Sequence, residues 1–228
     1  MRTIQILIFL LLLNFFSSAV YGQQTAYLED VEKEVQLGRE LFRQEKYNAA
    51  FRQFEKVQNQ VEYQSERYSE ALFFKSVSAL QAGLSSGYRM LDRFIEDHPE
   101  SPFLSRAYFY LGNDQFDRKL YGAVLRSYRE VERSELSDED LIRLKYQNGY
   151  SHLMMENEDQ ALAEFNEVRD ANSIYSRPAN YYWAHIMYLR ENYQSALEGF
   201  FCLNNNHTYS KVITLYVSQI YYKQQKYK

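Results

Sequence analysis

The sequence repeats the spacing of its small and aromatic residues at an interval of about 37 positions. Alanine followed four positions later by phenylalanine occurs at Ala50, Ala161 and Ala196. The first two alanines are 111 positions apart, and steps of 37 between them land on Gly87 and Val124. Apolar residues four and seven positions further on keep the step of 37, which shortens to 35 at the last unit: Phe54, Leu91, Tyr128, Phe165 and Phe200, then Val57, Phe94, Val131, Val168 and Leu203. A period of this length predicts a protein built from repeated supersecondary units.

Two further series run in the same register. Twelve residues before the alanine positions stand Gly38, Lys75, Gly112, Gly149, Ala184 and, after a shorter step, Ser218, preceded by Leu37, Phe74, Leu111, Asn148, Trp183 and Val217. A turn position reads Tyr47, Leu84, Tyr121, Glu158, Tyr193 and Tyr227. Leu-Gly, an aromatic residue at the turn and then Ala-x-x-x-Phe resembles the helix–turn–helix motif of the tetratricopeptide repeat (TPR) family, and Pro99 occupies the closing proline position. Lys75, Asn148 and Glu158 depart from the motif, which predicts some irregularity in the second and fourth units.

The resemblance implies an all-α chain forming a right-handed TPR solenoid of antiparallel helix pairs, with about five full repeats and one extra helix. The repeat domain covers 23–228, with units at about 31–67, 68–104, 105–141, 142–176 and 177–210 and a partial unit at 211–228. A small residue at each crossing would let two backbones approach, and the ring one turn later would fill the space between units. A single unit has no core of its own, so stacking must create one.

The register also predicts where the helices lie. First helices are expected at about 26–44, 66–82, 103–118, 138–155, 177–190 and 209–224, and second helices at about 47–59, 86–97, 121–133, 159–170 and 193–203. Ser137 followed by Asp140 resembles a capping box with a shortened acid. Pro178 is expected in a first helical turn, where its missing N–H group costs nothing.

The first 22 residues have the layout of a secretory signal peptide. Arg2 precedes a mostly apolar run from Ile4 to Phe16, and small residues lead to a cleavage site predicted after Gly22 or, alternatively, after Ala19. An uncleaved membrane anchor is the other interpretation, although the run is shorter than the roughly 20 residues that a spanning helix needs. The only cysteine, Cys202, is far from the signal, so a lipoprotein-type lipid attachment is not expected.

Composition excludes several classes of function. Without residues 1–22 the chain has 25 basic and 30 acidic residues and no basic cluster, so we expect no nucleic-acid partner. The histidines show no metal-binding spacing and no phosphate-binding glycine loop is present, so we expect no metal, no cofactor and no enzymatic activity. The acidic residues Glu156, Glu158 and Asp159 are interpreted as a solvated turn rather than a catalytic carboxylate pair.

In the TPR family the first helices line a concave binding groove, and the resemblance assigns three rows of residues to it. The rows are Val35, Leu72, Phe109, Tyr146, Tyr181 and Leu215; Arg39, Ser76, Asn113, Tyr150, His185 and Gln219; and Phe42, Ala79, Phe116, Leu153, Tyr188 and Tyr222. The candidate partner-binding residues are Asn113, Tyr146, Tyr150, Tyr181, His185 and Tyr188, since aromatic side chains with polar tips suit peptide recognition. The alternative is that these rings only pack between helices. A clamp for a C-terminal carboxylate is not expected, because Val35 and Leu72 stand where such domains have lysine.

A signal peptide followed by tandem repeats resembles the TPR proteins of the Gram-negative envelope, which are periplasmic or outer-membrane-associated adaptors. The sequence therefore predicts a scaffold that binds a protein or peptide and has no membrane span after signal cleavage. The last predicted helix leaves an apolar face without a following helix. Either the chain is the N-terminal part of a longer repeat protein, or a partner covers that face, which includes self-association. A longer protein could carry an enzymatic or other effector domain downstream, and this chain would then be its regulatory or targeting region.

Overall fold

A computed structural model describes residues 29–63, 65–203 and 208–225, and these residues form helices and turns without a strand. Its helices are α1 at 29–43, α2 at Tyr47–Gln60, α3 at Glu66–Gln81, α4 at Gly87–Asp97, α5 at Leu104–Asp117, α6 at Tyr121–Arg129, α7 at Asp138–Met154, α8 at Glu158–Val168, α9 at Ser176–Leu189, α10 at Tyr193–Phe201 and α11 at Ser210–Lys223. No helix in the described part of the chain is long and apolar enough to cross a bilayer. The predicted signal peptide and Tyr227 lie outside the described residues.

The predicted helix bounds that fall on described residues match the observed ones within one or two residues, and the end of α6 is the exception. We expected α6 to continue to residue 133, but it ends at Arg129 and a short 3-10 helix, Arg133–Glu135, follows. The Glu132 backbone N–H donates to Ser105 Oγ on α5 at 2.9 Å, and the Glu132 carboxylate accepts from Ser134. The chain therefore turns early because side chains satisfy the backbone groups that a longer helix would have paired.

The capping prediction at α7 is confirmed. The Asp140 backbone N–H donates to Ser137 Oγ at 3.2 Å, and the same hydroxyl lies 3.0 Å from the Asp140 carboxylate. Pro178 lies in the first turn of α9, as expected. Both features fix the entry of a first helix by local chemistry alone.

The chain divides into two compact units, with unit 1 ending at Leu104 and unit 2 starting at Ser105. Unit 1 contains α1 to α4, and unit 2 contains nearly all of α5 together with α6 to α11. The division coincides with the limit drawn between the second and third repeats in the sequence. In unit 1 the core is rich in phenylalanine: Phe54 stacks on Phe74 with ring centroids 4.9 Å apart, and Phe73 stacks on Phe103 at 5.0 Å.

Every residue of the two second-helix series is buried. The alanines Ala50, Ala161 and Ala196 are fully enclosed, and so are the rings of Phe54, Phe165 and Phe200. The positions seven residues on are also in the core: Val57, Phe94, Val131, Val168 and Leu203. The predicted register of the second helices is therefore confirmed.

A small residue at each helix crossing was expected to let two backbones approach, and at two glycines of the first helices this explanation is wrong. A Cβ atom on Gly112 would lie 2.2 Å from the Tyr128 ring, and one on Gly38 would lie 2.7 Å from Phe54. These glycines therefore make room for the ring of the second helix rather than for its backbone. Backbone approach holds at Gly87, where a Cβ atom would lie 2.5 Å from the Leu80 backbone nitrogen.

Each first helix ends in a turn that contains one residue of left-handed conformation. These residues are Glu45, Gly83, Lys119, Glu156, Glu191 and Gln225, with φ between 55° and 69°. In the turn after α5, the Lys119 N–H donates to the Phe116 carbonyl at 2.8 Å and the Leu120 N–H donates to the Gln115 carbonyl at 2.9 Å. This pair of bonds is the Schellman motif, which satisfies the last carbonyls of a helix. The motif was not predicted from the sequence, because only one of the six residues is glycine.

The three departures from the TPR motif are all satisfied by polar partners. Lys75 forms an ion pair with Glu55 at 2.9 Å, and Asn148 donates to Glu164 at 2.8 Å. Glu158 accepts from Arg190 at 2.9 Å. The helices that carry these residues, α3, α7 and α8, are regular along the lengths given above. Polar pairing thus replaces the apolar contact that the motif residue would have made.

Candidate partner-binding face

All six candidate residues lie in unit 2, on three first helices: Asn113 on α5, Tyr146 and Tyr150 on α7, and Tyr181, His185 and Tyr188 on α9. The five residues on α7 and α9 are partly buried and keep some exposed surface. Asn113 differs, because it is only 8% exposed and accepts a hydrogen bond from the Tyr128 hydroxyl at 2.9 Å. The structure therefore places Asn113 in the interior rather than on an open face.

Other members of the predicted rows are also interior. Val35, Ser76, Ala79 and Phe109 are buried. Arg39 donates through Nε to Glu70 Oε1 at 2.6 Å, and Glu70 also accepts from Arg67 at 2.6 Å while being 2% exposed itself. In unit 1 the rows thus contribute to packing and to one buried ion pair more than to a groove. Sequence spacing alone therefore assigns residues to the groove that the structure buries.

The buried polar cluster around Tyr128 supports α5 and α7 from within. The Tyr128 hydroxyl contacts the amides of Asn113 and Gln147, and Ser127 donates to Gln115 at 2.8 Å. Burial raises the pKa of Tyr128 well above its ordinary value. A buried hydroxyl that is hydrogen-bonded fixes the relative positions of its neighbours, so Tyr128 on α6 holds α5 and α7 in a defined register.

Tyr150 on α7 is the centre of one group of rings. It meets Phe116 at 5.6 Å, Tyr121 at 5.7 Å and Tyr182 at 5.0 Å, all edge to face. Burial, and behind it the charge and hydrogen bonding of Tyr150, raise the pKa of both Tyr121 and Tyr182. Tyr150 therefore joins rings from α5, α6, α7 and α9.

Tyr181 on α9 links this group to the C-terminal helices. Its ring lies 5.2 Å from Tyr182, 5.4 Å from Tyr209 and 6.3 Å from the parallel imidazole of His185. His185 in turn meets Tyr216 on α11 edge to face at 5.5 Å. A continuous network of rings thus runs from Phe116 on α5 to Tyr216 on α11, and we call its partly exposed side the ring face.

Tyr188 lies at the polar end of the ring face. Its hydroxyl donates to Gln219 Oε1 at 3.0 Å, and its ring meets Tyr216 at 5.0 Å. Lys223 Nζ lies 5.3 Å from the Tyr188 ring centroid and 5.8 Å from that of Tyr193. The Tyr193 hydroxyl raises the pKa of Lys223, so this end of the face carries a cation over aromatic rings.

Three further groups of the ring face, Tyr146, Tyr216 and His185, are electrically neutral near pH 7. Burial raises the pKa of Tyr146 above its ordinary range, and burial with the nearby Tyr181 raises the pKa of Tyr216 to about 12. Burial lowers the pKa of His185, against the opposing charge of Glu158. Activated phenolates or general bases need shifts toward neutral pH, whereas these tyrosines move away from it. The ring face is therefore suited to contact and hydrogen bonding.

The rings pack between helices, as the alternative interpretation proposed, and the five candidate residues on α7 and α9 remain partly exposed. Partner binding by these residues stays a prediction. Tyr182 and Tyr216 were absent from the predicted rows, although both stand in one register column: Gln36, Phe73, Tyr110, Gln147, Tyr182 and Tyr216. Reading that column beside the three rows could have found them.

The acidic turn of Glu156, Glu158 and Asp159 is solvent-exposed, and two of its carboxylates also form ion pairs with one arginine. Arg190 Nε donates to Glu158 at 2.9 Å and Arg190 Nη2 donates to Asp159 at the same distance. One guanidinium at the end of α9 thus ties down the start of α8. Among the described residues no three His, Cys, Asp or Glu side chains are grouped as a metal site would require.

Helices paired in a repeated register define an all-α helical-repeat fold in the described part of the chain. Comparison with solved structures agrees: MamA MSR-1 C2 matches with a TM-score of 0.51 and 17% identity, over 80% of this chain and 95% of the MamA chain. TTC0263, described as a thermophilic TPR protein in Thermus thermophilus, matches with a TM-score of 0.43 and 18% identity, over 82% of this chain and 97% of the TTC0263 chain. No protein-family model and no curated protein matches the sequence. At such identity the likeness concerns the fold, and the predicted TPR-type fold class is confirmed.

Proposed function

We propose that this chain is a non-enzymatic scaffold or adaptor of the bacterial envelope that binds a peptide segment of a partner protein on the ring face of unit 2. The observation that carries the proposal is the continuous ring network from Phe116 to Tyr216, whose members on α7 and α9 keep exposed edges. The TPR-type fold supports a role in protein interaction, since repeat proteins of this kind use extended faces of their stacked helices for binding.

The physical case rests on preorganisation. Aromatic side chains supply large contact areas and lose little conformational entropy on binding when they are already held in place. Here the rings hold one another at centroid distances of 5.0 to 6.4 Å, and the Tyr188 hydroxyl is held by Gln219. A partner would therefore meet a nearly rigid surface, and ring area would contribute more to its affinity than hydroxyl groups that are already bonded.

Binding can be tested by affinity capture from an envelope extract with two matched triple variants. Replacing Tyr146, Tyr181 and Tyr188 by alanine removes the rings, whereas replacing them by phenylalanine keeps the rings and removes the hydroxyls. We expect the alanine variant to lose at least about tenfold in affinity and the phenylalanine variant to keep most of it. The control is Asn166→Ala, an exposed position on the second helix α8. Capture by a folded alanine variant at the level of the unmodified protein would refute the ring face.

Because Tyr146 and Tyr181 also contact Phe165 and Phe200, circular dichroism must show that the alanine variant is folded. If it is not, a photoreactive benzoylphenylalanine at position 188 provides the test. Cross-linking there that competes with unlabelled partner supports the proposal. Equal cross-linking from position 166 would contradict it.

Export is part of the same proposal. The signal-like segment at residues 1–22 motivates a periplasmic or outer-membrane-associated location for the chain. In a Gram-negative host we expect the periplasmic or outer-membrane fraction to contain a chain whose N-terminus, by intact-mass spectrometry, is Gln23. A chain that still begins at Met1 in the membrane fraction would favour the anchor, and one in the cytoplasm would remove the envelope role.

A second candidate function is that of a regulatory or targeting region in a longer protein with an effector domain. It is favoured by the exposed apolar residues on α11, where Leu215 is 55% and Tyr222 is 69% exposed. A following helix would cover these side chains. Reading the gene past the codon for Lys228 tests this candidate. If no coding sequence follows, self-association through α11 is the rival, and Leu215→Glu with Tyr222→Glu should then reduce the mass measured by light scattering.

A further inference from the structure

Unit 1 contains a cleft of about 860 Å³ that has no part in the ring face. It lies where the start of α3 faces the end of α4, and the segment 99–102 closes one side. That volume falls within the range of pockets that hold small ligands or a few residues of peptide.

The walls of the cleft are aromatic. Tyr63 meets Tyr68 edge to face at 5.0 Å, and the His98 imidazole stacks on Phe94 at 5.4 Å. The Tyr68 hydroxyl accepts from Gln58 at 3.1 Å, which holds that ring in place. Tyr63 is 69% exposed, and Tyr68 and His98 are partly exposed, whereas Phe94 is fully buried. A ligand can therefore reach the rings of Tyr63, Tyr68 and His98.

The frame around the walls is closed by hydrogen bonds. The hydroxyls of Ser69 on α3 and Ser101 in the closing segment lie 2.9 Å apart, and the Phe103 N–H donates to Ser101 Oγ at 3.2 Å. Ser65 caps α3 by accepting from the Tyr68 N–H at 3.1 Å. These hydrogen bonds fix the start of α3 and join it to the closing segment of the cleft.

The rim of the cleft is acidic. Glu66, Asp97 and Glu100 are exposed there, against the single basic side chain of Arg93. Ion pairs in the described part of unit 1 use other carboxylates: Asp30, Glu32, Glu34, Glu40, Glu55 and Glu70.

Two of the rim carboxylates, Asp97 and Glu100, lie where a helix dipole makes a negative charge unfavourable, whereas the third, Glu66, does not. Glu66 is in the first turn of α3, where a negative charge is favourable. Asp97 is the last residue of α4 and Glu100 follows it, at the negative end of the helix dipole. A bound cation would reduce this repulsion. It would be attracted at the same time by the negative end of the dipole, by the carboxylates and by the ring faces.

We propose that this cleft binds an arginine side chain presented by a short peptide segment of a partner protein. The planar guanidinium can stack on Tyr63, Tyr68 or His98 and at the same time donate to a rim carboxylate in a forked geometry, which the compact ammonium of lysine cannot do. The partly exposed apolar side chain of Leu72 on the lining suits an aliphatic neighbour of the arginine. The site is separate from the ring face, so the protein has two binding surfaces of different chemistry.

The test uses the full exported chain and the fluorescein-labelled pentapeptide Ala-Leu-Arg-Leu-Ala, titrated by fluorescence anisotropy. The same peptide with citrulline keeps the shape of the side chain and removes its charge. We expect saturable binding of the arginine peptide and a Kd about tenfold higher or more for the citrulline peptide. Asp97→Asn with Glu100→Gln should raise the Kd for the arginine peptide by a similar factor, and Tyr63→Ala should also raise it.

The matched control is Glu130→Gln with Glu135→Gln, which removes the same charge from exposed positions in unit 2. This control and the triple tyrosine variants of the ring face should leave arginine-peptide binding unchanged. Several results would overturn the proposal: no saturation at millimolar protein, equal affinity for the citrulline peptide, or an equal loss in the control pair. Binding of tetramethylammonium as tight as that of the peptide would indicate a small-cation site and would likewise overturn it. Failure of the ring-face experiment alone leaves this result standing.

Discussion

The turns that end the first helices place a residue with a side chain where glycine is the usual choice. Lys119 has φ of 61° and Glu191 has φ of 59°, and non-glycine residues are strained in this region because Cβ approaches the following carbonyl oxygen. The backbone bonds of the Schellman motif outweigh that strain. The cost is local, so it can be removed at one residue without changing a contact.

Lys119→Gly should therefore stabilise the protein. Relief of the left-handed strain exceeds the added entropy of the unfolded glycine, and we expect the free energy of unfolding to rise by about 0.5–1 kcal/mol. Urea denaturation followed by circular dichroism measures it. The converse control is Gly83→Ala, at φ of 69°. No atom lies within 4 Å of the new Cβ, so the expected decrease in the free energy of unfolding would come from backbone strain alone. A Lys119→Gly variant no more stable than the unmodified chain would contradict this account of the turns.

Two glycines provide a direct comparison of crowded and open positions. A Cβ atom on Gly112 would lie 2.2 Å from Tyr128, whereas one on Gly122 would have no neighbour closer than 3.8 Å. Gly112→Ala must displace a ring whose hydroxyl is held by Asn113, so we expect a loss of about 1–3 kcal/mol. Gly122→Ala should instead gain about 0.5 kcal/mol from helix propensity in α6. Thermal melts of the two variants that shift in the same direction would show that the glycines are not distinguished by packing.

At the level of elements, the second helices could be predicted from sequence and the face of the first helices only in part. A second helix such as α8 buries one narrow stripe, so alanine at position 161 and phenylalanine at position 165 leave a clear periodic signal. First helices make contacts on more than one side, and residue spacing does not show which of their side chains are buried. Asn113 and Tyr188 occupy neighbouring rows in the sequence, yet one is buried and the other is partly exposed.

The end of α6 and the ring network were also not predicted from the sequence, for physical reasons. Glu132 leaves the helical path because Ser105, 27 positions earlier, accepts its N–H, and such a pair has no local signature. Tyr182 and Tyr216 join the ring face through contacts between different helix pairs. Their periodic column is visible in the sequence, but only the packing shows that their rings meet Tyr150 and His185.

A charge placed in the α8 stripe tests the register of this element. Ala161 is fully buried, whereas Ala163 on the same helix is exposed. Ala161→Arg should cost about 3 kcal/mol or more, since the long side chain has no space and its charge would lose water. Ala163→Arg should change stability by less than about 0.5 kcal/mol. Equal melting temperatures for the two variants, measured by circular dichroism, would mean that the helix faces the other way.

Stability of the whole molecule should fall as the pH drops below about 6.5, the ordinary pKa of histidine. Burial lowers the pKa of His185 and of His152; Glu158 opposes the shift at His185, and Glu164 opposes it at His152 while Arg133 reinforces it. Below pH 6.5 the unfolded chain therefore binds protons that the folded chain does not, and this favours unfolding until the lowered pKa values are reached. Above pH 6.5 the contribution of the two neutral histidines is complete.

The measurement is the difference in melting temperature between about pH 7.5 and about pH 5.5, a range that lies above the ordinary titration of carboxylates. We expect that difference to shrink in His152→Gln with His185→Gln. His98→Gln is the control, since His98 lies on the cleft of unit 1. An unchanged difference in the double variant would assign the pH response to other groups.

The left-handed turns have a consequence for the ancestry of such chains. Main-chain bonds hold each hairpin between paired helices, so the residues at the bend can be exchanged in evolution without loss of the bend. Lysine, glutamate and glutamine occupy sites where a sequence profile would look for glycine. Such an architecture can therefore persist while few aligned letters remain, and this chain has the fold of a solved structure at 17% identity and matches no family profile.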